Sequence, residues 1–192
     1  DNIFKLARKI DARVLLTSTS EVYGNPEVHP QPESYNGNVD MRGARSCYDE
    51  AKRFSESLAV AFIDKYDLDI RTVRPFNTYG PRMRADDGRV IPNFITQAVN
   101  DEPLTVYGDG TQTRSFLYVS DQVRGMYRLM NRDGLQGEVV NIGSNNEITI
   151  LELAEAIQKN IETSSQIEYQ PLPPDDPQRR KPQIKRAKEL LD

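Results

Sequence analysis

Apolar residues occur in two patterns along the chain: short continuous runs in some segments, and a spacing of three or four residues in others. A continuous run is typical of a strand buried on both faces of a parallel sheet, and residues 12–19 contain one. Apolar residues three and four positions apart predict amphipathic helices. The pattern predicts strands at residues 12–19, 69–74, 104–107, 115–119 and 139–142, and helices at residues 2–10, 48–66, 91–100 and 121–130 and from Ile150 onward.

The order of these segments predicts the fold class. A helix between two strands implies a right-handed crossover and parallel neighbours, so we expect an α/β fold with a doubly wound sheet. After Gly80 the spacing changes, which indicates a smaller lobe interleaved with the sheet. Thr149 with Glu152 predicts a capping box at the start of a helix. The stripe that packs the helix at 48–66 against the core is expected to be Ala51, Phe54, Leu58, Ala61 and Phe62.

Composition narrows the classes of function. The 192 residues include 25 Lys+Arg and 29 Asp+Glu, a net charge of −4, which argues against a dedicated nucleic-acid binder. No apolar run reaches the roughly 20 residues of a membrane helix. Cys47 is the single cysteine and His29 the single histidine, so we predict no internal disulfide and no metal site built on cysteine or histidine.

Candidate chemistry lies in and around the first long helix. Tyr48 and Lys52 are four residues apart, so both side chains lie on one helical face. An ammonium beside a phenol favours the phenolate, which can act as a general base. Spacing alone is weak evidence, because Tyr and Lys four residues apart usually mark a half-exposed helical face. Polar segments follow two predicted strands, at 17–24 and 74–82, and ligands of open α/β sheets bind beyond such strand ends.

These motifs together resemble the extended short-chain dehydrogenase/reductase superfamily, which acts on nucleotide sugars with NAD. More narrowly they resemble the UDP-glucuronic acid decarboxylases, or UDP-xylose synthases, within it. The narrower resemblance is carried by residues 18–24, 27–31, 46–53, 80–83, 87–90, 93–95, 105–121 and 175–182. It implies that the chain is the C-terminal portion of a Rossmann-like sheet with a smaller α/β substrate-binding lobe.

The resemblance also implies catalytic roles. Tyr48 would remove the hydroxyl proton at carbon 4 of the sugar, Lys52 would tune it and hold the nicotinamide ribose, and Thr19 would share the hydrogen bond of that hydroxyl. Glu21 and Arg180 would serve the loss of carbon dioxide from the 4-keto uronic acid and the reprotonation that follows. A carboxylate can relay a proton and a guanidinium can orient the substrate carboxylate. The implied reaction is NAD-dependent conversion of UDP-glucuronate to UDP-xylose.

Further residues are implied to bind the two ligands. Those implied to contact NAD are Thr17, Ser18, Tyr48, Lys52, Pro75, Thr78 and Arg89. Those implied to contact the UDP-sugar are Glu21, Asn77, Asn93, Tyr107, Gln112, Arg114 and Arg180.

Three alternative functions remain open at this point. Nucleotide-sugar 4,6-dehydratases carry Asp-Glu where this chain has Ser20-Glu21, and 4-epimerases generally lack a glutamate there, so Glu21 without a preceding aspartate disfavours both. A non-catalytic nucleotide-sugar-binding or scaffold protein is the third alternative. It is supported by the lack of a glycine-rich phosphate-binding turn in the chain.

The resemblance leads to expectations about extent and assembly. Residues 1–192 are expected to be a partial epimerase/dehydratase-type domain, with about 1–80 and 120–145 on the Rossmann side and about 81–119 and 146–192 in the substrate lobe. A glycine-rich turn is expected upstream. We therefore expect the chain alone to bind NAD poorly and to be inactive, and the full-length protein to be a homodimer. A cytoplasmic location is expected, which leaves open a membrane anchor upstream.

Overall fold

Six helices and ten strands are present in the computed structural model, which describes residues 1–172 and 178–192. The helices are α1 Asn2–Lys9, α2 Ser46–Tyr66, α3 Val90–Val99, α4 Val119–Asn131, α5 Ile150–Ile161 and α6 Lys185–Leu191. The strands are β1 Val14–Thr17, β2 Ile70–Pro75, β3 Thr78–Tyr79, β4 Leu104–Tyr107, β5 Thr113–Ser115, β6 Leu117–Tyr118, β7 Val139–Ile142, β8 Glu147–Thr149, β9 Ile167–Gln170 and β10 Arg179–Arg180.

The central sheet has the order β1-β2-β7 with all strands parallel, and helices cover both of its faces. Phe4 of α1 and Phe62 of α2 pack on one face, and Leu129 of α4 and Leu191 of α6 pack on the other. The predicted α/β, doubly wound fold is therefore confirmed. Apolar side chains of β1 pack on both faces as predicted, Val14 and Leu16 on one and Leu15 on the other. They are only half-buried, because β1 lies at the edge of this sheet.

A second apolar cluster lies apart from this sheet. Phe94 of α3, Leu104 and Val106 of β4, and Leu153 and Ala154 of α5 form its buried centre. The capping box is present as predicted, because the Thr149 side chain accepts from the Glu152 backbone and the Glu152 carboxylate accepts from the Thr149 backbone. Short strands complete this side of the molecule, in the orders β4-β9 and β10-β5-β8.

Two predicted boundaries differ from the structure. The single strand expected at 115–119 is two strands followed by a helix, because β5 pairs with β8 and β10 whereas β6 pairs with β3. The chain thus changes sheets at Phe116. Helix α6, expected in the substrate lobe, packs instead on the sheet side, where Leu191 joins the cluster around Val140. The remaining division into two lobes stays a prediction.

The apolar stripe expected on α2 is only partly correct, since Phe62 is buried and Leu58 packs against the same cluster. Ala51, Phe54 and Ala61 are exposed, and Phe54 retains 66% of its accessible surface. The side chains buried on this helix are Asp49, Ala59 and Phe62. In the first half of α2, the face that points inward borders a cavity and carries polar side chains. The apolar stripe of this helix therefore does not coincide with its buried face.

Arg71 ties the central sheet to the end of α4. Its side chain is 1% exposed, pairs with Asp69 and donates to the backbone oxygens of Leu129, Met130 and Arg132. We expect Arg71→Met to lower the free energy of unfolding by about 3–5 kcal/mol, because the substitution leaves those acceptors buried without their donor.

Urea unfolding of the complete protein that contains this chain measures this loss. The matched control is Arg13→Met, which removes a second partner of Asp69 whose side chain is 30% exposed. That control should cost much less than Arg71→Met, because the ion pairs of Arg13 are exposed to solvent. Equal losses for the two variants would contradict the importance assigned to Arg71.

Candidate active site

One cavity of about 1370 Å³ lies beyond the carboxyl ends of β1 and β2, between the central sheet and the second apolar cluster. Every residue predicted to bind or act on a ligand lines it: Thr17, Ser18, Thr19, Glu21, Tyr48, Lys52, Pro75, Asn77, Thr78, Arg89, Asn93, Tyr107, Gln112, Arg114 and Arg180. The structure thus brings these residues together, whereas their individual roles stay predictions. Part of the last motif, residues 175–177, lies outside the described residues.

Tyr48 and Lys52 reach the cavity from the first turns of α2. The Lys52 ammonium donates to the backbone oxygen of Thr17 at 2.9 Å, which fixes it at the end of β1. It also lies 5.8 Å from the centre of the Tyr48 ring, and the Arg45 guanidinium lies 5.9 Å from the same ring. Tyr48 remains 44% exposed. The phenol therefore faces the cavity with two cations beside it, an arrangement suited to a proton acceptor.

A 3-10 turn carries the chain from β1 to the floor of the cavity. It spans Ser20–Tyr23, and Thr19 caps it by accepting from the Glu21 backbone at 3.2 Å. The Thr19 hydroxyl retains its proton for a ligand because it accepts in this bond. The turn also aims Glu21 at the cavity, where the Glu21 side chain is 17% exposed.

Glu21 forms an ion pair with Arg180, 159 positions away in the sequence. The register between β10 and β5 pairs Arg180 with Arg114 and thereby brings Arg180 to the cavity. A second guanidinium, that of Arg45, lies 3.7 Å from the other oxygen of Glu21. The Arg180 side chain is 7% exposed, and its Nε atom has no partner within residues 1–172 and 178–192. A buried donor without a partner is costly, so this atom is available to an anionic ligand.

Asp49 is a cavity residue that the sequence reasoning missed. It is 8% exposed, and its Oδ1 atom accepts no hydrogen bond from the described part of the chain. Burial raises the pKa of the Asp49 carboxyl, and the charge of Glu21 raises it further, while Arg45 and Arg180 oppose the shift. Its position directly after Tyr48 in the sequence was the one available signal.

A buried polar network supports the floor of the cavity from behind. The Ser18 hydroxyl donates to Glu56, and Glu56 pairs with Arg74 at 2.6 Å. Arg74 also donates to the Tyr23 hydroxyl at 2.8 Å, and that hydroxyl donates to Asn141 at 2.8 Å. Ser18 was predicted to contact NAD, but its hydroxyl is directed to Glu56, so this side chain contributes to the support of the turn.

The far wall of the cavity carries the predicted UDP-sugar ligands. Gln112 donates to the backbone oxygen of Tyr107 at 2.8 Å, and Asn93 donates to that of Gly88 at 3.3 Å. Arg114 donates to the backbone oxygen of Thr113 at 2.9 Å. These contacts hold amide and guanidinium groups at the wall.

Two residues predicted to contact NAD, Arg89 and Thr78, already have partners within the chain. Arg89 pairs with Asp87, which lowers the pKa of the Asp87 carboxyl. The Thr78 hydroxyl donates to the backbone oxygen of Phe76 at 3.0 Å and lies 3.2 Å from the Gln122 side-chain oxygen.

Comparison with known proteins places the chain in a family. Residues 1–143 match the NAD dependent epimerase/dehydratase family. The chain belongs to this family. None of its described helices is long and apolar enough to cross a membrane.

Relatives within this family include several sugar-nucleotide enzymes. UDP-glucuronic acid decarboxylase 4 of Arabidopsis thaliana is 54% identical over 193 residues, which cover 99% of this chain and 42% of that protein. UDP-glucuronic acid decarboxylase 1 of Danio rerio is 50% identical over 190 residues, which cover 99% of this chain and 45% of that protein. The chain therefore spans less than half the length of these two relatives.

A solved structure confirms the fold of the family. UDP-glucuronic acid 4-epimerase from Bacillus cereus, in complex with UDP-glucuronic acid and NAD, has a TM-score of 0.87 with this chain at 30% identity. The similarity covers 98% of this chain and 58% of the epimerase.

Proposed function

We propose that the complete protein containing this chain decarboxylates UDP-glucuronate to UDP-xylose with NAD as cofactor. The observation that carries the proposal is the Glu21–Arg180 ion pair, buried at the floor of the cavity that Tyr48 and Lys52 also line. A sugar carboxylate needs a cation to orient it, and the carbon that loses carbon dioxide needs a proton donor. Arg180 supplies the cation, and Glu21 supplies the donor once its carboxylate has taken up a proton.

The residues around Tyr48 fit the nicotinamide half of NAD. Pro75 and Phe76 offer apolar surface in the cavity wall, and the Lys52 ammonium lies at the end of β1 beside Thr17. We assign Thr17, Pro75, Thr78 and Arg89 to this half of the cavity, together with the backbone of Ser18, whose hydroxyl is directed to Glu56. NAD bound there would accept a hydride from carbon 4 of the sugar and later return it.

In this mechanism Tyr48 transfers the proton at carbon 4 of the sugar. The phenolate oxygen accepts the hydroxyl proton as the sugar is oxidised, and Thr19 hydrogen-bonds the same hydroxyl. Lys52 lies 5.8 Å from the centre of the Tyr48 ring and keeps its place through the bond to Thr17. When carbon 4 is reduced again, Tyr48 returns the proton, so this group ends each turnover as it began.

In this mechanism Glu21 and Arg180 assist the decarboxylation. The 4-ketone lies β to the carboxylate, so the electrons of the breaking carbon–carbon bond pass toward the ketone oxygen. Arg180 orients the carboxylate, and Glu21 delivers a proton to the carbon that has lost it. On the opposite wall, Asn77, Asn93, Tyr107, Gln112 and Arg114 would hold the UDP moiety, with Arg114 charge-pairing a phosphate oxygen.

Product analysis tests this function. Incubation of the complete protein with UDP-glucuronate and NAD is expected to release carbon dioxide and yield UDP-xylose in equal amounts. The 4-epimerase alternative has support in the similarity to the Bacillus cereus enzyme. That alternative predicts UDP-galacturonate and no carbon dioxide, and this result would contradict the proposal. A scaffold protein would bind the nucleotide sugar and return it unchanged.

We also propose that the protein forms a homodimer through α2. Phe54 and Val60 on this helix remain 66% and 54% exposed, an unusual exposure for large apolar side chains on one helix.

A further inference from the structure

The proposed reaction consumes one proton from water in each turnover. Loss of carbon dioxide leaves an electron pair at the sugar carbon, and a new carbon–hydrogen bond must form there. The proton that Tyr48 accepts at carbon 4 is returned when carbon 4 is reduced, so it contributes nothing to this balance. Glu21 therefore has to be reloaded with a proton before each cycle. This inference rests on the proposed function and deepens it.

Glu21 is poorly placed to take that proton from solvent directly. One of its oxygens is engaged by Arg180 and the other faces Arg45 at 3.7 Å. Both contacts hold Glu21 as a carboxylate, so a proton that reaches it is best delivered by another acid in the cavity wall.

Asp49 is such an acid. It lines the same cavity from the first turn of α2, it is more than nine-tenths buried, and its Oδ1 atom accepts no hydrogen bond within the described ranges. The charged groups that act on it are Glu21 and Arg180 from other elements, Arg45 just before α2, and Glu50 on its own helix. Burial and the carboxylate of Glu21 raise the pKa of Asp49, which favours the proton-carrying form.

We propose that Asp49 holds the proton consumed by the reaction and passes it to Glu21. A water molecule in the cavity links the two carboxyls: the O–H bond of Asp49 breaks as a new O–H bond forms on the water, and another O–H bond of that water breaks as one forms on Glu21. Glu21 then gives the proton to the sugar carbon that has lost its carboxylate. Water in the cavity returns a proton to Asp49, so each bond broken is matched by a bond formed. Asp49 acts through Glu21 and leaves oxidation at carbon 4 to Tyr48.

Asp49→Asn in the complete protein tests the proposal, since an amide of the same shape cannot carry the proton. We expect kcat to fall by about 10- to 100-fold with KM changed less than about 2-fold, because loss of an acid group slows proton transfer. The absorbance of reduced NAD should rise in the steady state, since oxidation of the sugar continues while a later step is slow. The solvent deuterium isotope effect on kcat should increase, and Asp49→Glu should restore part of the rate.

Asp64→Asn is the matched control, because Asp64 lies near the other end of the same helix, is exposed and does not line the cavity. It should leave kcat and the isotope effect unchanged. An Asp49→Asn protein with wild-type kcat and no rise in reduced NAD would overturn the role of Asp49. A uniform loss of sugar oxidation together with decarboxylation would overturn it as well, since that outcome marks a structural residue.

Infrared titration tests the same proposal without turnover. The difference spectrum between the wild-type protein and Asp49→Asn should show the Asp49 carboxyl losing its proton at a higher pH than an ordinary aspartate. Titration at or below the ordinary value would overturn the proposal even in an active enzyme. A wild-type protein that releases no carbon dioxide would instead overturn the proposed function, and the two failures are therefore distinguishable.

Discussion

Tyr48→Phe is expected to lower turnover of UDP-glucuronate by about 10²- to 10⁴-fold in the complete protein, the range typical of a lost general base. Phenylalanine keeps the ring between Lys52 and Arg45 but cannot accept the hydroxyl proton at carbon 4. Because oxidation is the first chemical step, no reduced NAD should form when substrate is added. KM should change little, since the ring and the cavity wall are retained.

Rapid-mixing absorbance of reduced NAD, with carbon dioxide release measured in parallel, checks this result. Tyr66→Phe is the matched control because Tyr66 ends the same helix and packs with Phe62 away from the cavity. It should retain wild-type turnover. If the Tyr48→Phe protein formed reduced NAD at the normal rate, Tyr48 would not be the general base.

Glu21→Gln is expected to separate the two halves of the reaction. Glutamine keeps the size of the side chain and an oxygen facing Arg180, but it cannot carry the proton to the sugar carbon. Sugar oxidation should continue, so reduced NAD accumulates on the protein, whereas formation of UDP-xylose falls by about 100-fold or more. The effect should exceed that of Asp49→Asn, because in the proposed mechanism Glu21 donates the proton to the sugar carbon and Asp49 acts through Glu21.

The same absorbance measurement, combined with analysis of the sugar product, tests this separation. Glu27→Gln provides the control, since Glu27 is an exposed carboxylate in the loop that follows the same turn and does not line the cavity. It should leave both steps unchanged. Unaltered carbon dioxide release by the Glu21→Gln protein would refute the role of Glu21.

Much of the site could be predicted from local sequence because parallel strands end at the same edge of a sheet. The polar segments after β1 and β2 and the helical pair Tyr48 and Lys52 therefore converge as expected. The resemblance to a known superfamily added the residues of the far wall. Their presence around one cavity agrees with the predictions, whereas the role of each residue awaits the experiments above.

Helix α2 shows where pattern reasoning failed. A hydrophobic stripe usually marks the buried face of a helix, but the first half of the buried face of α2 carries Asp49, Lys52 and Glu56. These polar groups border the cavity or bind residues behind it, while Phe54 on another face is exposed. Periodicity reports the average preference of a face and cannot distinguish a core from the wall of a polar site.

The sequence by itself determined the alternation of strands and helices, the capping box at Thr149 and the helical pairing of Tyr48 with Lys52. Each depends on residues within one or two turns of one another, and such local preferences are encoded in short windows. Only the tertiary structure decided that Arg180 meets Glu21 and that Asp49 is buried beside them. The ion pair joins residues 159 positions apart and depends on the pairing of β10 with β5. Burial of Asp49 likewise arises from the packing of segments that are separate in the sequence.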